Sequence, residues 1–351
     1  MSTTSDRVDG LDILKAFCTF CIMIIHAPIP GEIGMYIEAL SRIAVPIFFM
    51  ITGFFYVDTQ AKKKELAQIK KMFWLCVYAN ALYLPWGLVL NRHAGESIQA
   101  YVSKVFAPKA LLEWLVFNQS PFSGHLWYLG AILYALMIVY VLNRVCGDKS
   151  SRILLVAAPF LLLINLALGN YSRLLFQREF SSILTRNFLF CGIPYFTLGY
   201  FLRKRKDIAE ALCARPVFLV SAALFFACTT IAELFLVHHF GIAANVDLFI
   251  STTFLSIVVF SACTSPYWNR KMPVLRLIGR KYAVYIYIFH PIVIAVLNTV
   301  AKLLRIYDFY VYCRPVAVFV VSTLMSIAFI KTRACLTSKL NGTVTHQACK
   351  R

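Results

Sequence analysis

Long apolar stretches, each close to the length that crosses a lipid bilayer, dominate this sequence. The chain has 351 residues, of which 60% are hydrophobic and only 15% are charged, whereas soluble domains are nearer half apolar and a quarter charged. A spanning helix needs about 20 apolar residues, because the hydrocarbon core is about 30 Å thick and each residue rises about 1.5 Å. The sequence therefore predicts an all-α integral membrane protein.

About ten transmembrane helices are predicted, and no cleavable leader is expected because the first apolar run lacks a small-residue cleavage site. The predicted spans are residues 11–28, 35–57, 72–90, 126–143, 153–169, 187–202, 217–237, 248–263, 282–300 and 316–330. No linker or low-complexity tract separates them, so residues 1–351 are predicted to form a single polytopic domain. The longest connection, residues 91–125, is predicted to be extracytoplasmic and to contain an interfacial helix.

The positions of the positive charges predict the orientation of these spans. Most of the 35 lysines and arginines fall in connections on the same side of the membrane as the N-terminus. Because such residues accumulate in cytoplasmic loops, both termini are predicted to be cytoplasmic. The net charge of +19 is spread over short loops that abut spans, so the expected partners are anionic membrane lipids and not nucleic acid.

Eleven cysteines raise the question of disulfides or a metal site. Most fall within predicted spans, where cysteine behaves as a small apolar residue. Cys18 and Cys21 have CxxC spacing, but no second pair or nearby histidine completes a zinc set. Packing roles and no metal are therefore predicted.

Two ionisable residues stand in the first span, "LDILKAFCTFCIMIIHAPIP". Lys15 and His26 are eleven residues apart, which at about 100° and 1.5 Å per residue places them on one helix face, about 16 Å apart along the axis. Ionisable groups in a membrane mark a site by default. The alternatives are that Lys15 snorkels to the interface and that His26 caps the helix.

The second span, "MYIEALSRIAVPIFFMITGFFYV", carries a second polar group. Glu38 and Arg42 are four residues apart and are predicted to pair on one helix face. Pro46 removes the hydrogen bond to the carbonyl of Arg42 and predicts a kink, while Gly53 permits close helix approach. The span is predicted to line a polar cavity, and the alternative is a structural ion pair.

Three later segments repeat this mixture of polar and aromatic residues within spans: "GHLWYLGAIL", "TRNFLFCGIPYFTLGYFLRKRK" and "IGRKYAVYIYIFHPIVI". The residues predicted from them to bind substrate are His125, Trp127, Tyr128, Arg186, Tyr287 and His290. His290 precedes Pro291 in the middle of a predicted span, and its alternative role is to bond a backbone carbonyl.

In these residues the chain resembles acyltransferase family 3, the polytopic enzymes that O-acylate bacterial surface glycans. Lys15 to His26 fits the family pattern of a basic residue, ten residues and a histidine, and "SRIAVPIFFMITGFF" resembles its second-helix signature. "HLWYL" and "YIYIFHP" resemble its later landmarks. Lysine at position 15 departs from the arginine of many members, keeping the charge but not bidentate recognition.

The resemblance implies catalysis by His26, with Lys15 required and Glu38 and Arg42 lining the site. It implies an acyl group, acetyl in the first instance, moved from cytoplasmic acyl-CoA to a glycan or lipid-linked glycan acceptor at the bacterial inner membrane. Acyl-CoA is then a co-substrate, and no bound cofactor is expected. His26 suits a general base, since its ordinary pKa is near 6.5, and no GxSxG motif supplies a nucleophile for a stable acyl-enzyme.

Two other functions stay open from the sequence. The membrane half of the serine racemases of vancomycin resistance is similar to this family, so a transporter for a serine-like amino acid is the main alternative. A scaffold for glycan assembly is the third. Some members of the family append an extracytoplasmic hydrolase-like domain, which is not found in this sequence. If a second, periplasmic transfer step is needed, another protein is expected to supply it.

Overall fold

The computed structural model describes residues 8–242 and 247–348, and it contains no β-strand within those residues. In chain order the α-helices of the first half are α1 (Asp9–His26), α2 (Gly31–Ser41), α3 (Ala44–Ala61), α4 (Glu65–His93), α5 (Ile98–Val105), α6 (Pro108–Phe117), α7 (Trp127–Cys146) and α8 (Lys149–Leu168). Those of the second half are α9 (Ser172–Phe176), α10 (Ile193–Lys204), α11 (Lys206–Cys213), α12 (Pro216–His239), α13 (Ile250–Cys263), α14 (Pro273–Leu277), α15 (Ala283–Leu303) and α16 (Tyr307–Ala348). One π-helical turn, Phe188–Gly192, precedes α10, and another, Ile278–Tyr282, precedes α15.

Each of the ten predicted spans is helical over most of its length. Seven helical segments in the described part of the chain are long and apolar enough to cross a membrane. They are Gly31–Ala61, Glu65–His93, Gly124–Cys146, Lys149–Leu168, Pro216–His239, Pro273–Leu303 and Tyr307–Thr337. The other three predicted spans correspond to α1, which carries Asp9, Asp12 and Lys15, and to α10 and α13, which have 12 and 14 residues. The all-α, multi-pass class is confirmed, while ten crossings and cytoplasmic termini stay predictions.

The connection at residues 91–125 contains two helices where the sequence predicted one. These are α5 and α6, and a left-handed Asn118 with φ of 55° ends α6. The hydroxyl of Tyr101 on α5 donates a hydrogen bond to the carbonyl of Leu84 on α4 at 3.1 Å. The connection is thus tied to the preceding helix.

The chain divides into two compact units. The first unit comprises the residues up to Leu11 together with Tyr36–Asn269, and the second comprises Asp12–Met35 together with the chain from Arg270 onward. The boundaries fall inside α1 and α2, so Lys15 and His26 belong to the second unit, and Glu38 and Arg42 belong to the first.

In the first unit α3 and α10 are in contact through glycines. A Cβ on Gly53 would lie 1.9 Å from the carbonyl oxygen of Phe196, and a Cβ on Gly199 would lie 1.9 Å from that of Met50. The predicted close approach at Gly53 is therefore confirmed, with α10 as its partner. The kink predicted at Pro46 is a break, because α2 ends at Ser41 and α3 begins at Ala44.

In the second unit α1 contacts the π-helical turn and α16. A Cβ on Gly279 would lie 1.8 Å from the carbonyl oxygen of Asp12, so the turn rests against the backbone of α1. Phe20 of α1 meets Phe319 of α16 edge to face, with ring centroids 5.5 Å apart. Residues from the two ends of the chain thus form one unit.

We expect Gly53→Ala to destabilise the protein by about 1–3 kcal/mol, because the added methyl group has no room unless α3 and α10 separate. The measurement is the thermal unfolding midpoint in detergent, followed by the loss of the monodisperse size-exclusion peak. Gly124→Ala is the matched control, since nothing lies within 4 Å of a Cβ at Gly124. Equal midpoints for the two variants would contradict the glycine contact.

Candidate active site

Lys15 and His26 lie on one unbroken helix, as the sequence predicted. The ammonium nitrogen of Lys15 is 3.0 Å from Oδ1 of Asp12, one turn earlier, and the Asp12 side chain is only 3% exposed. The Lys15 side chain is 24% exposed. Sequence reasoning missed Asp12, although its position three residues before Lys15 is the ordinary spacing of a helical ion pair. The pair orients the ammonium group and neutralises a buried carboxylate.

His26 meets His290 within the second unit. The centroids of the two imidazole rings are 5.0 Å apart and their planes are inclined by 44°. His26 is the last residue of α1 and is exposed, whereas His290 on α15 is fully buried. Both were predicted as site residues from separate motifs, and the structure brings them together.

The tautomer of His290 follows from its backbone contact. Its Nδ1 lies 2.7 Å from the carbonyl oxygen of Tyr287, one turn earlier on α15. A carbonyl oxygen only accepts, so Nδ1 carries the hydrogen, and in the neutral ring Nε2 is the basic nitrogen. The Tyr287 ring is 5.8 Å from that of His290. The alternative role of His290, a bond to a carbonyl, is therefore present alongside its contact with His26.

Arg314 fixes the chain just beyond His26. Its Nη2 donates to the carbonyl oxygen of Pro28 at 2.7 Å. Arg314 falls between the predicted spans 282–300 and 316–330, but it lies inside α16. A cation next to the carbonyl end of a helix is favourable, and this contact holds the turn that follows the candidate base.

The predicted pair of Glu38 and Arg42 is present in the first unit. Nη2 of Arg42 is 2.5 Å from Oε1 of Glu38, and the two side chains are 19% and 15% exposed for Glu38 and Arg42. The Nε of Arg42 has no hydrogen-bond acceptor among the described residues. The partly buried guanidinium therefore retains one unused donor.

Two further charged residues act on this pair. Asp247 and Arg186 both interact electrostatically with Arg42. Nε of Arg186 is 3.8 Å from Oδ2 of Asp247, which also accepts a 3.0 Å hydrogen bond from the hydroxyl of Thr185. Sequence reasoning predicted Arg186 but missed Asp247, whose distance along the chain gives no local signal. The first unit thus brings together two acidic residues, Glu38 and Asp247, and two basic residues, Arg42 and Arg186.

The predicted residues of "HLWYL" occupy an aromatic layer of the first unit. His125 is buried, its Nδ1 lies 2.8 Å from Oγ of Ser123, and its ring is 4.8 Å from that of Tyr83. The rings of Trp127 and Tyr128 lie 6.4 and 4.9 Å from that of Phe49. These contacts give all three a packing role, and their binding of substrate stays a prediction.

In the basic run at residues 203–206, Arg203 and Arg205 each bind a carboxylate. Arg203 forms a bidentate pair with Asp58, with Nη2 at 2.9 and 3.0 Å from its two oxygens. Arg205 binds Asp207, and this hydrogen bond lowers the pKa of the Asp207 carboxyl. The side chain of Lys206 lies outside the described part of the structure. Arg203 is accordingly a structural residue that ties α10 to α3.

A group of side chains that would hold a metal was not expected from the sequence. Among the side chains that the structure describes, no three or more histidine, cysteine, aspartate or glutamate side chains are placed to bind one ion.

Comparison with known proteins gives the class of this arrangement. The sequence profile described as an acyltransferase domain matches residues 8–330. The chain therefore belongs to acyltransferase family 3, and its long apolar helices indicate a multi-pass membrane protein.

One curated relative is an amino-acid racemase of Enterococcus faecalis, which is 23% identical over 325 residues. The similarity covers 86% of this chain but only 43% of that protein's length. No solved structure matches the chain. These similarities show the family of the chain, and the acyl group and its acceptor are matters of the proposal below.

We expect Arg42→Ala to destabilise the protein more than the double change Arg42→Ala with Glu38→Ala. The single change leaves two carboxylates, Glu38 and Asp247, without this cation in a poorly solvated place. The measurement is a double-mutant cycle of thermal midpoints in detergent. Additive effects of the two single changes would remove the ion pair from this account.

Proposed function

We propose that the chain moves an acyl group, in the first instance acetyl, from cytoplasmic acyl-CoA to a hydroxyl of a cell-surface glycan or its lipid-linked precursor. The observation that carries the proposal is the meeting of His26 and His290, with the tautomer of His290 set by the Tyr287 carbonyl. A hydroxyl needs a base as it attacks a thioester. The exposed imidazole of His26, which contacts the buried imidazole of His290, supplies that base.

The proposed reaction is a direct transfer. His26 takes the proton of the acceptor hydroxyl while the hydroxyl oxygen forms a bond to the thioester carbonyl carbon. The carbon–sulfur bond then breaks, and the proton passes from His26 to the departing CoA sulfur. His290 is buried and contacts His26, so it acts through His26 as a positioning residue.

Lys15 is the proposed contact for the polyanionic donor. The π-helical turn that packs against Asp12 through Gly279 also carries Arg280 and Lys281, both of which are exposed. This packing brings two further cations near the helical turn that carries Lys15. Phosphate groups are attracted to such a group of cations. Because Lys15 precedes His26 by about 16 Å along α1, the donor's phosphates and the reacting carbonyl are assigned to different ends of one helix.

The proposed setting is the bacterial inner membrane. Acyl-CoA is made in the cytoplasm and is too polar to cross a bilayer, whereas surface glycans are completed outside. A helix with a cation toward its predicted cytoplasmic end and a base at its other end suits a transfer between the two compartments. The proposed acceptor is a glycan, or its lipid-linked precursor, that presents a hydroxyl group for acylation.

A second candidate function is transport of a serine-like amino acid, favoured by the similarity to an amino-acid racemase over most of this chain. Purified protein in sealed vesicles separates the two. Thioester turnover from radiolabelled acetyl-CoA with label transferred to a glycan supports the enzyme. Uptake of labelled L-serine without any thioester turnover supports the transporter.

We expect His26→Ala to lower kcat by about 100-fold to 10,000-fold, the usual contribution of a general base, with little change in acyl-CoA affinity. The measurement is transfer from radiolabelled acetyl-CoA by the purified protein. His93→Ala, at an exposed histidine that ends α4, is the matched control. If His26→Ala transfers at the unaltered rate while remaining folded, His26 is not the base.

We expect Lys15→Ala to raise the KM for acyl-CoA by roughly tenfold or more, since a charge-assisted contact contributes about 1.5–3 kcal/mol. Lys15→Arg should retain a low KM because it keeps the positive charge. The double change Lys15→Ala with Asp12→Ala controls for the buried carboxylate that the single change leaves unpaired. Donor titrations on inside-out and right-side-out vesicles test the sidedness. An unchanged KM in Lys15→Ala, or equal use of acyl-CoA from both faces, would contradict this role.

A further inference from the structure

The first unit contains a polar cavity of about 330 Å³ that the proposed catalytic residues do not occupy. It lies between the end of α8, the connection at residues 177–186, and Asp247 just before α13. Ligand pockets usually measure about 300–1,000 Å³. The cavity is therefore large enough for one small ring-shaped ligand with its nearest waters.

One wall of the polar cavity is held rigidly by Asn170. The Asn170 side chain is 2% exposed, donates to the carbonyl oxygen of Leu248 at 3.2 Å, and accepts from the backbone N–H of Asp247 at 2.9 Å. The wall therefore holds the backbone of Asp247 at the cavity without using the Asp247 carboxylate.

The neighbouring residue, Tyr171, strengthens the same wall. Its hydroxyl donates to Glu233 at 2.5 Å. Burial, together with this hydrogen bond, raises the pKa of Tyr171, so the phenol stays a neutral donor. The residues on each side of this anchor, Asn170 and Ser172, both line the cavity.

The charged side of the cavity offers a matched donor and acceptor. The carboxylate of Asp247 is 18% exposed and the guanidinium side chain of Arg186 is 35% exposed. At 3.8 Å their contact is loose enough for a hydroxyl group to hydrogen-bond to both. A carboxylate accepts two hydrogen bonds and a guanidinium donates several, which suits adjacent hydroxyls on one ring.

The cavity also has an apolar part to its lining, which is the half-buried ring of Phe180. A sugar ring has one face made of C–H groups, and such a face packs on an aromatic ring, while its hydroxyls point toward polar neighbours. Ser181 and Ser182 add hydroxyl groups to the lining. Aromatic face, ion pair and hydroxyls thus occur around one cavity of suitable size.

We infer that the polar cavity binds one sugar ring of the glycan acceptor, with Asp247 and Arg186 on its hydroxyls and Phe180 on its apolar face. This inference rests on the proposed function, because it places an acceptor of the class proposed above. An amino acid would also satisfy a carboxylate and a guanidinium, but it would leave Phe180 and much of the volume unused.

The test measures binding directly, so it is independent of acyl transfer. Full-length protein in detergent is examined by saturation-transfer difference NMR with methyl glycosides of common hexoses and, separately, with L-serine. We expect saturation transfer to the ring protons of at least one glycoside. Asp247→Asn and Phe180→Ala should each weaken that binding at least tenfold.

Two variants outside the cavity serve as matched controls. Phe240→Ala changes an exposed phenylalanine of the same unit, and Asp308→Asn changes an exposed aspartate on α16; neither lines the cavity. Both should bind the glycoside as the unaltered protein does. His26→Ala should also bind it normally, which separates a failed acceptor site from a failed catalytic proposal.

Two outcomes would overturn the inference. The first is glycoside binding that neither Asp247→Asn nor Phe180→Ala weakens, while both variants remain monodisperse. The second is binding of L-serine, lost in Asp247→Asn, with no binding of any glycoside, which would assign the cavity to an amino acid. Acyl transfer to a glycan extract, measured on the same preparations, reports separately on the proposed function.

Discussion

An ionisable side chain in a membrane-spanning helix costs several kcal/mol unless it is compensated, and three basic side chains in or next to the described helices are held in close ion pairs. Lys15 binds Asp12 within α1, Arg42 just beyond the end of α2 binds Glu38 of that helix, and Arg203 binds Asp58 across two helices. The partners in the first two pairs are three and four residues apart along the chain, so these pairs need no other helix. Their charges can therefore be carried into a poorly solvated environment before any other helix packs against them.

The local nature of these pairs explains what the sequence reveals. Apolar runs of membrane length predicted all ten helical segments, because helix formation in such runs depends on near neighbours. The pair of Glu38 and Arg42 was predicted from its spacing for the same reason. Asp12 stands three residues before Lys15, which is the same kind of local signal for a helical ion pair.

Contacts between residues that are far apart along the chain could not be predicted from the sequence. Nothing near Arg186 indicates that Asp247 will be its neighbour, and nothing near His26 indicates His290. Each was singled out as an unusual polar residue, but which of them meet is decided by how the helices pack. That packing rests on glycines such as Gly53 and Gly279, which allow backbone contact, and glycine spacing alone does not name the partner helix.

The π-helical turn before α15 shows how such packing places a candidate functional residue. A π-helical turn inserts an extra residue into a helix and so rotates everything that follows. This turn, Ile278–Tyr282, runs directly into α15, and its Gly279 lies against α1. The side chains of α15, including His290, are thus presented at an angle set by the turn.

In the proposed reaction the two histidines have different tasks. His290 is buried and hydrogen-bonded to its own helix, so its orientation is fixed by the α15 backbone. His26 stands at the open end of α1, and Arg314 holds the turn beyond it through Pro28. A base must reach its substrate and yet keep one orientation, and a single histidine at a helix end achieves the first more readily than the second. The exposed imidazole supplies the reach, and its buried neighbour restricts the positions it adopts.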